Sequence, residues 1–149
     1  MDILGNTVDW FRRARPEPTP QHFSSQVGVH FEEVAEMVAE IEPKDQETLE
    51  ALIDAKQALV HLSDHLKANP GCIDIAQENR EKFLDSLCDQ VVTATGTAHC
   101  ATLDITGAME EVNRSNFSKF DEKGNPIFNE QLKVIKGPNY SPADLSKFI

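Results

Sequence analysis

The residues with the most chemistry to offer are carboxylates. One set is Glu32-Glu33-Val34-Ala35-Glu36; the other is Asp85 and Asp89, one helical turn apart. On a helix, Glu32, Glu33 and Glu36 share a neighbourhood opposite the apolar stripe Val27, Phe31, Val34, Val38 and Ile41. Taken alone, such a run also describes a solvated helix face. Asp85 and Asp89 lie opposite a stripe of Leu84, Leu87, Val91, Ala94 and Ala98, and their own face continues into Val92, Gly96, His99 and Leu103. That helix therefore reads as buried on both sides, with its aspartates flush with apolar surface. Buried carboxylates are rare unless paired or holding a metal, and no matching set of Lys or Arg lies on these helices. Two helices with such carboxylates would make a cage of hard oxygen ligands, suited to Mg²⁺ or Mn²⁺. A ferritin-like di-iron site needs Glu-x-x-His, and no histidine here has Glu three positions before it. His61 and His65 share a face, but no HExxH or third ligand set accompanies them, so they read as boundary histidines.

Charge separates two regions. The chain of 149 residues carries a net charge of -11, which excludes bulk attraction to nucleic acid phosphates. Residues 1–111 hold 21 acids against 8 Lys or Arg, whereas residues 112–149 hold 4 against 6. An acidic body with a basic tail suits holding a cation and meeting an anion. Cys72, Cys88 and Cys100 form no CxxC, and their odd count fits ordinary thiols in a reducing compartment. Met1 to Trp10 holds two acids and no basic stretch, and the apolar runs are too short to cross a bilayer. A cytoplasmic protein, free of membrane, is the expectation.

Periodicity and breakers then supply the elements that must position these groups. The pattern predicts a short helix over Asn6–Arg13, ended by the proline run Pro16 to Pro20. Helices follow over Gln21–Glu42, closed by Pro43, and over Asp45–Leu66, using Leu49, Leu52, Ile53, Leu59 and Leu62. Two more are predicted over Ile75–Ala101 and Asp104–Phe117. Asp121 to Pro126 is turn chemistry, and Ile127-Phe128 could pair with Val134-Ile135 as a minimal hairpin. The expected fold is all-α: a bundle of about four core helices with an irregular C-terminal arm. Its parts are an N-terminal segment (1–19), a helical core (20–118) and an arm (119–149), together one domain.

Glu33-x-x-Glu36 followed by a later acidic helix resembles the all-α nucleoside triphosphate pyrophosphohydrolases: the MazG-like proteins, the dimeric dUTPases and phosphoribosyl-ATP pyrophosphohydrolase. Their signature is ExxE, then ExxD on a second helix. Asp89 fits the final Asp; Ser86 stands where the preceding Glu would be, and Asp85 is the substitute carboxylate. Glu111-Val112-Asn113-Arg114-Ser115-Asn116-Phe117-Ser118-Lys119 and Lys136-Gly137-Pro138-Asn139-Tyr140-Ser141-Pro142 resemble the tail of phage-type and bacterial MazG-like proteins. The resemblance covers roughly residues 20–145 and implies a MazG-like bundle that cuts a (deoxy)nucleoside triphosphate into nucleoside monophosphate and pyrophosphate.

Site roles follow from the same resemblance. It makes Glu33, Glu36, Asp85 and Asp89 the Mg²⁺ ligands, with Mn²⁺ a substitute. Glu32 and Glu33 are the catalytic acids, Glu32 as a supporting acid or general base. Asn113, Asn116, Lys119, Lys136 and Tyr140 are the nucleotide contacts, with Arg114 a weaker one. Asn113 and Asn116 could instead cap their helix end. Trp10, Phe11, Phe23, His30 and Phe31 could stack on a base, or simply fill the core. A homodimer or homotetramer is implied. The competing reading is a helical bundle that binds nucleotide or protein without turnover, and the Ser86 departure is its support.

Overall fold

The computed structural model describes residues 2–129 and 133–149. The chain is all-α, as the periodicity predicts. The helices are α1 (Ile3–Ala14), α2 (Pro20–Ala39), α3 (Gln46–Ala68), α4 (Arg80–Cys100) and α5 (Ile105–Phe117), with single 3₁₀ turns at Gln77–Asn79 and Ser146–Phe148. None of them is long and apolar enough to cross a membrane. The chain forms two compact units: Glu17–Arg80, and Met1–Pro16 with Glu81–Ile149.

Local chemistry sets the helix ends. Pro20 is the first residue of α2, where a missing N–H costs nothing. Thr19 Oγ1 accepts from the His22 backbone N–H while His22 Nδ1 accepts from that of Thr19. Asp45 caps α3 through the Thr48 N–H at 2.8 Å, and Asp104 caps α5 through that of Gly107 at 3.0 Å. α2 stops at Ala39, short of the predicted Glu42, because the Glu40 N–H turns back to the carbonyls of Met37 and Val38. α4 begins later than predicted, since residues 77–79 tighten into the 3₁₀ turn.

In the Glu17–Arg80 unit, α2 and α3 run antiparallel. The Gly71 N–H donates to Ser24 Oγ at 2.7 Å near one end, and Glu40 and Lys56 share a cavity wall near the other. The seam is built on small residues. Ser24, Gly28 and Ala35 are buried on α2, facing Ser63 and Leu66 of α3. A Cβ at Gly28 would come within 3.0 Å of the Ser63 carbonyl, so glycine there permits the close approach. The predicted apolar stripe of α2 is only half-buried, and its Ile41 is exposed. The same holds on α3, where Leu49, Ile53 and Leu62 are exposed. The buried face is rotated toward small residues because they let two helix backbones come closest.

In the other unit α1 packs on α5. Trp10 stacks on Phe120 with centroids 6.0 Å apart, while Phe11 and Phe117 meet this pair edge-on. Trp10 Nε1 donates to the Asn116 carbonyl at 3.0 Å. Trp10 is thus engaged in packing, whereas Phe11 is exposed. The minimal hairpin exists as one antiparallel bridge between Phe128 and Val134. The arm is irregular, as predicted, and it is held in place. Residues 137–149 lie along α5, held by hydrogen bonds from Gly137 N to Lys119 O, Arg114 Nη2 to Pro142 O, Asp144 N to Glu111 Oε1 and Asp104 N to Phe148 O. The polar face of α5 provides these partners for an otherwise unpaired backbone.

α4 departs most from its sequence pattern. It was expected to be buried on both faces, yet only Ala98 is buried along its length. Asp85 and Asp89 are exposed.

Candidate functional site

The rotation of α2 toward its small-residue seam carries part of the acidic run to the edge of α3. A cavity of about 280 Å³ opens there within the Glu17–Arg80 unit. Glu32, Glu36 and Glu40 line it from α2, one turn apart; Lys56, Val60, Ser63 and Asp64 line it from α3, with Ala35 and Ala39 as its apolar floor. Glu33, on the same run, is exposed and outside the lining.

The acids differ in their engagements. Lys67 Nζ donates to Glu32 Oε1 at 2.8 Å and lies 3.5 Å from Asp64 Oδ1. The Glu32 hydrogen bond raises the Lys67 ammonium pKa above its ordinary value. A carboxylate held this way has one oxygen taken, which makes Glu32 a poorer general base than the sequence suggests. Glu36, Glu40 and Lys56 have no side-chain hydrogen bond or ion pair among the described residues. Among the described residues the buried Ser63 hydroxyl has no hydrogen-bond partner.

The donor chemistry suits a hard divalent cation. The unengaged carboxylates of Glu36 and Glu40 are hard oxygen donors and the lining has no thiol or imidazole, but the unengaged Lys56 ammonium shares it. Among the described residues no three His, Cys, Asp or Glu converge tightly enough to enclose a metal ion. Mg²⁺ asks for less: one or two carboxylates, several waters and the phosphates of a substrate. Glu36 fits such a ligand.

The proposed nucleotide contacts sort into two groups. Asn113 is buried and fully used: its Oδ1 accepts from Thr7 Oγ1 at 3.0 Å and its Nδ2 donates to the Ile3 carbonyl at 3.1 Å. It clasps α1 to α5. Arg114 is likewise occupied, forked onto Glu111 with two contacts of 2.7 Å. That fork, with the Asp144 N–H, draws the Glu111 carboxyl down to about 2.

Asn116, Lys119, Lys136 and Tyr140 gather beside the end of α5. Lys119 Nζ donates to Asn116 Oδ1 at 2.8 Å and stands 5.7 Å from the Trp10 ring centre. The Gly137 N–H donates to the Lys119 carbonyl at 3.0 Å, tying the segment after Lys136 to it. Lys136 Nζ lies 4.5 Å from the centre of the Tyr140 ring, and the Tyr140 N–H donates to the Gly137 carbonyl. Each ammonium has three donors. Lys119 spends one on Asn116, and Lys136 none in a hydrogen bond among the described residues. Two cations are therefore held on aromatic faces with donors to spare for an anion.

Sequence reasoning did not single out Lys56, Ser63, Asp64 or Lys67. The small residues Ser24, Gly28, Ala35 and Ser63 were the signal that could have found them, since their spacing marks where α2 meets α3. No protein-family model matches this chain, and neither a curated protein nor a solved structure matches it.

Proposed function

We propose that this chain is a metal-dependent hydrolase that cuts (deoxy)nucleoside triphosphates to nucleoside monophosphate and pyrophosphate, serving nucleotide-pool control or the supply of deoxynucleoside monophosphates. The observation that carries the reading is the gathering of Lys119 and Lys136 by the two tail motifs, with unspent donors on both ammonium groups. Those motifs lie far apart in sequence and resemble the same part of the same family. The acid-rich α2 supplies the complementary half of the chemistry.

Lys119 and Lys136 would bind phosphate oxygens, with Lys136 held against the Tyr140 ring. By the resemblance, Glu33, Glu36, Asp85 and Asp89 would hold the cation. When bound, Mg²⁺ or Mn²⁺ neutralises phosphate charge and acidifies a water. Glu33, unengaged and exposed, is the better proton acceptor of the neighbouring pair, because Lys67 occupies Glu32. Glu32 holds Lys67 between α2 and α3 and so positions the acidic edge.

The test is a pyrophosphate-release screen across the common NTPs and dNTPs with Mg²⁺, with products separated by chromatography. Nucleoside monophosphate and pyrophosphate support the reading. Nucleoside diphosphate and phosphate as the main products remove it. The Glu32–Lys67 pair, which spends an acid the reaction would use, favours a second reading as a nucleotide-binding bundle without turnover. Binding in the same screen without product release would select it.

A further inference from the structure

We infer that the cavity between α2 and α3 binds a short linear diamine, one ammonium group against Glu36 and the other against Glu40. Glu36 is the one residue this site shares with the proposed metal ligands, and the site stands whether or not the chain turns over nucleotide. Side chains of α2 and α3 alone line the cavity, and both helices lie in the Glu17–Arg80 unit, so its geometry is that of one compact body.

Charge selects the class of ligand. The lining holds four carboxylates, Glu32, Glu36, Glu40 and Asp64, against one ammonium, Lys56, a net of -3. Lys67 engages Glu32 at 2.8 Å and Asp64 at 3.5 Å, which leaves Glu36 and Glu40 as the open pair. Glu40 is the C-cap residue of α2, and the last turn of that helix has no basic residue. The carbonyl groups at a helix C-terminus favour a cation beside them.

Spacing selects an organic cation over a metal ion. Among the described residues no three His, Cys, Asp or Glu stand close enough to hold one ion. Glu36 and Glu40 are separated by one helical turn, about 6 Å along the axis. An extended four-carbon chain sets its two terminal nitrogens about 6 Å apart, at ordinary C–C and C–N bond lengths. Ala35, Ala39 and Val60 give its methylene groups an apolar surface to lie on. The cavity, about 280 Å³, falls just under the range of roughly 300–1,000 Å³ for pockets that take larger ligands.

Ser63 points to a ligand independently of charge. It lines the cavity, is 1% exposed, and its hydroxyl has no hydrogen-bond partner among the described residues. On α4 the hydroxyls of Thr93, Thr95 and Thr97 each donate to the carbonyl four residues back, which that of Ser63 does not. Buried polar groups are nearly always paired. A hydroxyl oxygen accepts, and an ammonium brings three donors and no acceptor, so the two are complementary.

Isothermal titration calorimetry of the full chain at low ionic strength tests the site. Butane-1,4-diamine should bind saturably, one per chain. Butylamine carries a single ammonium, as a lysine side chain does, and ethane-1,2-diamine is too short to reach both acids. Each should bind about tenfold more weakly or worse, through the loss of one charged contact. Glu40→Gln should weaken the diamine by a similar factor. So should Ala39→Leu, which fills the lining without altering charge; Ala39 is exposed at the end of α2, so the helix tolerates the change. Lys56→Gln should tighten binding, a gain that misfolding cannot produce and that a zwitterionic ligand would reverse. The proposal is overturned by the absence of saturable binding, by equal affinity for the three amines, or by normal binding in the Ala39→Leu chain. Weaker binding after Lys56→Gln overturns it too, as does a loss at Glu50→Gln, outside the lining, as large as that at Glu40→Gln.

Discussion

Between Glu17 and Arg80, 13 carboxylates stand against 4 Lys or Arg; in the unit of Met1–Pro16 and Glu81–Ile149, 12 stand against 10. The two units also use their polar groups differently. In the first, α2 and α3 meet through Ser24, Gly28, Ala35 and Ser63, with the Lys67–Glu32 ion pair beside that seam. Glu36 and Glu40 are left unengaged at the cavity. In the second, charged and amide side chains hold the fold together: Asn113 clasps α1, and Glu111 and Arg114 strap the tail. A polar side chain in the first unit is more available for function than one in the second. Lys119 and Lys136 are the exceptions, ordered by aromatic rings yet with donors unspent.

The sharpest test of this contrast removes an acid from the first unit. Glu36→Gln should abolish pyrophosphate release while circular dichroism keeps the helical signal, because relieving crowded negative charge does not destabilise the fold. If the proposed function holds, Asp89→Asn should do the same for turnover, and excess EDTA should stop pyrophosphate release by the unaltered chain. Wild-type rates in either variant, or full activity in EDTA, would falsify the ligand assignment.

Next in size is the loss of one phosphate contact. Lys119→Ala and Lys136→Ala should each lower kcat/KM by about tenfold or more, for a charged hydrogen bond of roughly 1.5–3 kcal/mol. The contrast sharpens if Lys136→Ala barely moves the melting temperature while Asn113→Ala lowers it clearly, since Asn113 makes two buried bonds. Normal kcat/KM in both lysine variants would break it.

A seam of small residues should resist enlargement. Gly28→Val places branched carbon against the Ser63 carbonyl and should cost about 1–3 kcal/mol of stability, read as a lower urea midpoint. An unchanged midpoint would mean that α2 and α3 do not approach as closely as Gly28 indicates.

The smallest effect belongs to pH. The Glu111 carboxyl sits at about 2 in the folded chain against an ordinary 4.5. Its stabilisation is therefore complete above the ordinary value and is lost as pH falls from there toward 2. Hydrogen exchange at the Asp144 amide should become less protected over that window, and Glu111→Gln should remove most of the pH dependence. Protection that stays flat from pH 5 to about 2.5 would show that the tail is held without this carboxylate.

The existence and approximate position of each helix were legible because its signals are local, although α1 starts three residues earlier than predicted, α2 ends three earlier and α4 starts five later. Thr19, Asp45 and Asp104 cap where a capping residue precedes a periodic run, and Pro and Gly punctuate the rest. Which face of each helix is buried was less legible. The Val27–Ile41 stripe is the most apolar side of α2, but the close packing falls on Ser24, Gly28 and Ala35, because backbone proximity depends on side-chain size as well as polarity. α4 misled for a related reason: its apolar faces announce that something covers them and do not say what.

The candidate site divides in the same way. By itself the sequence determined that the chain is helical, that acids cluster on α2 and α4, and that the basic groups fall in two tail motifs, since composition and period are properties of the chain alone. Only the tertiary structure decided that Lys67 engages Glu32, that Asn113 is spent on α1, and that Lys119 and the segment after Lys136 are tied together. Those outcomes depend on which groups lie within about 3 Å of one another, and residues that far apart in the chain meet only once the backbone has folded.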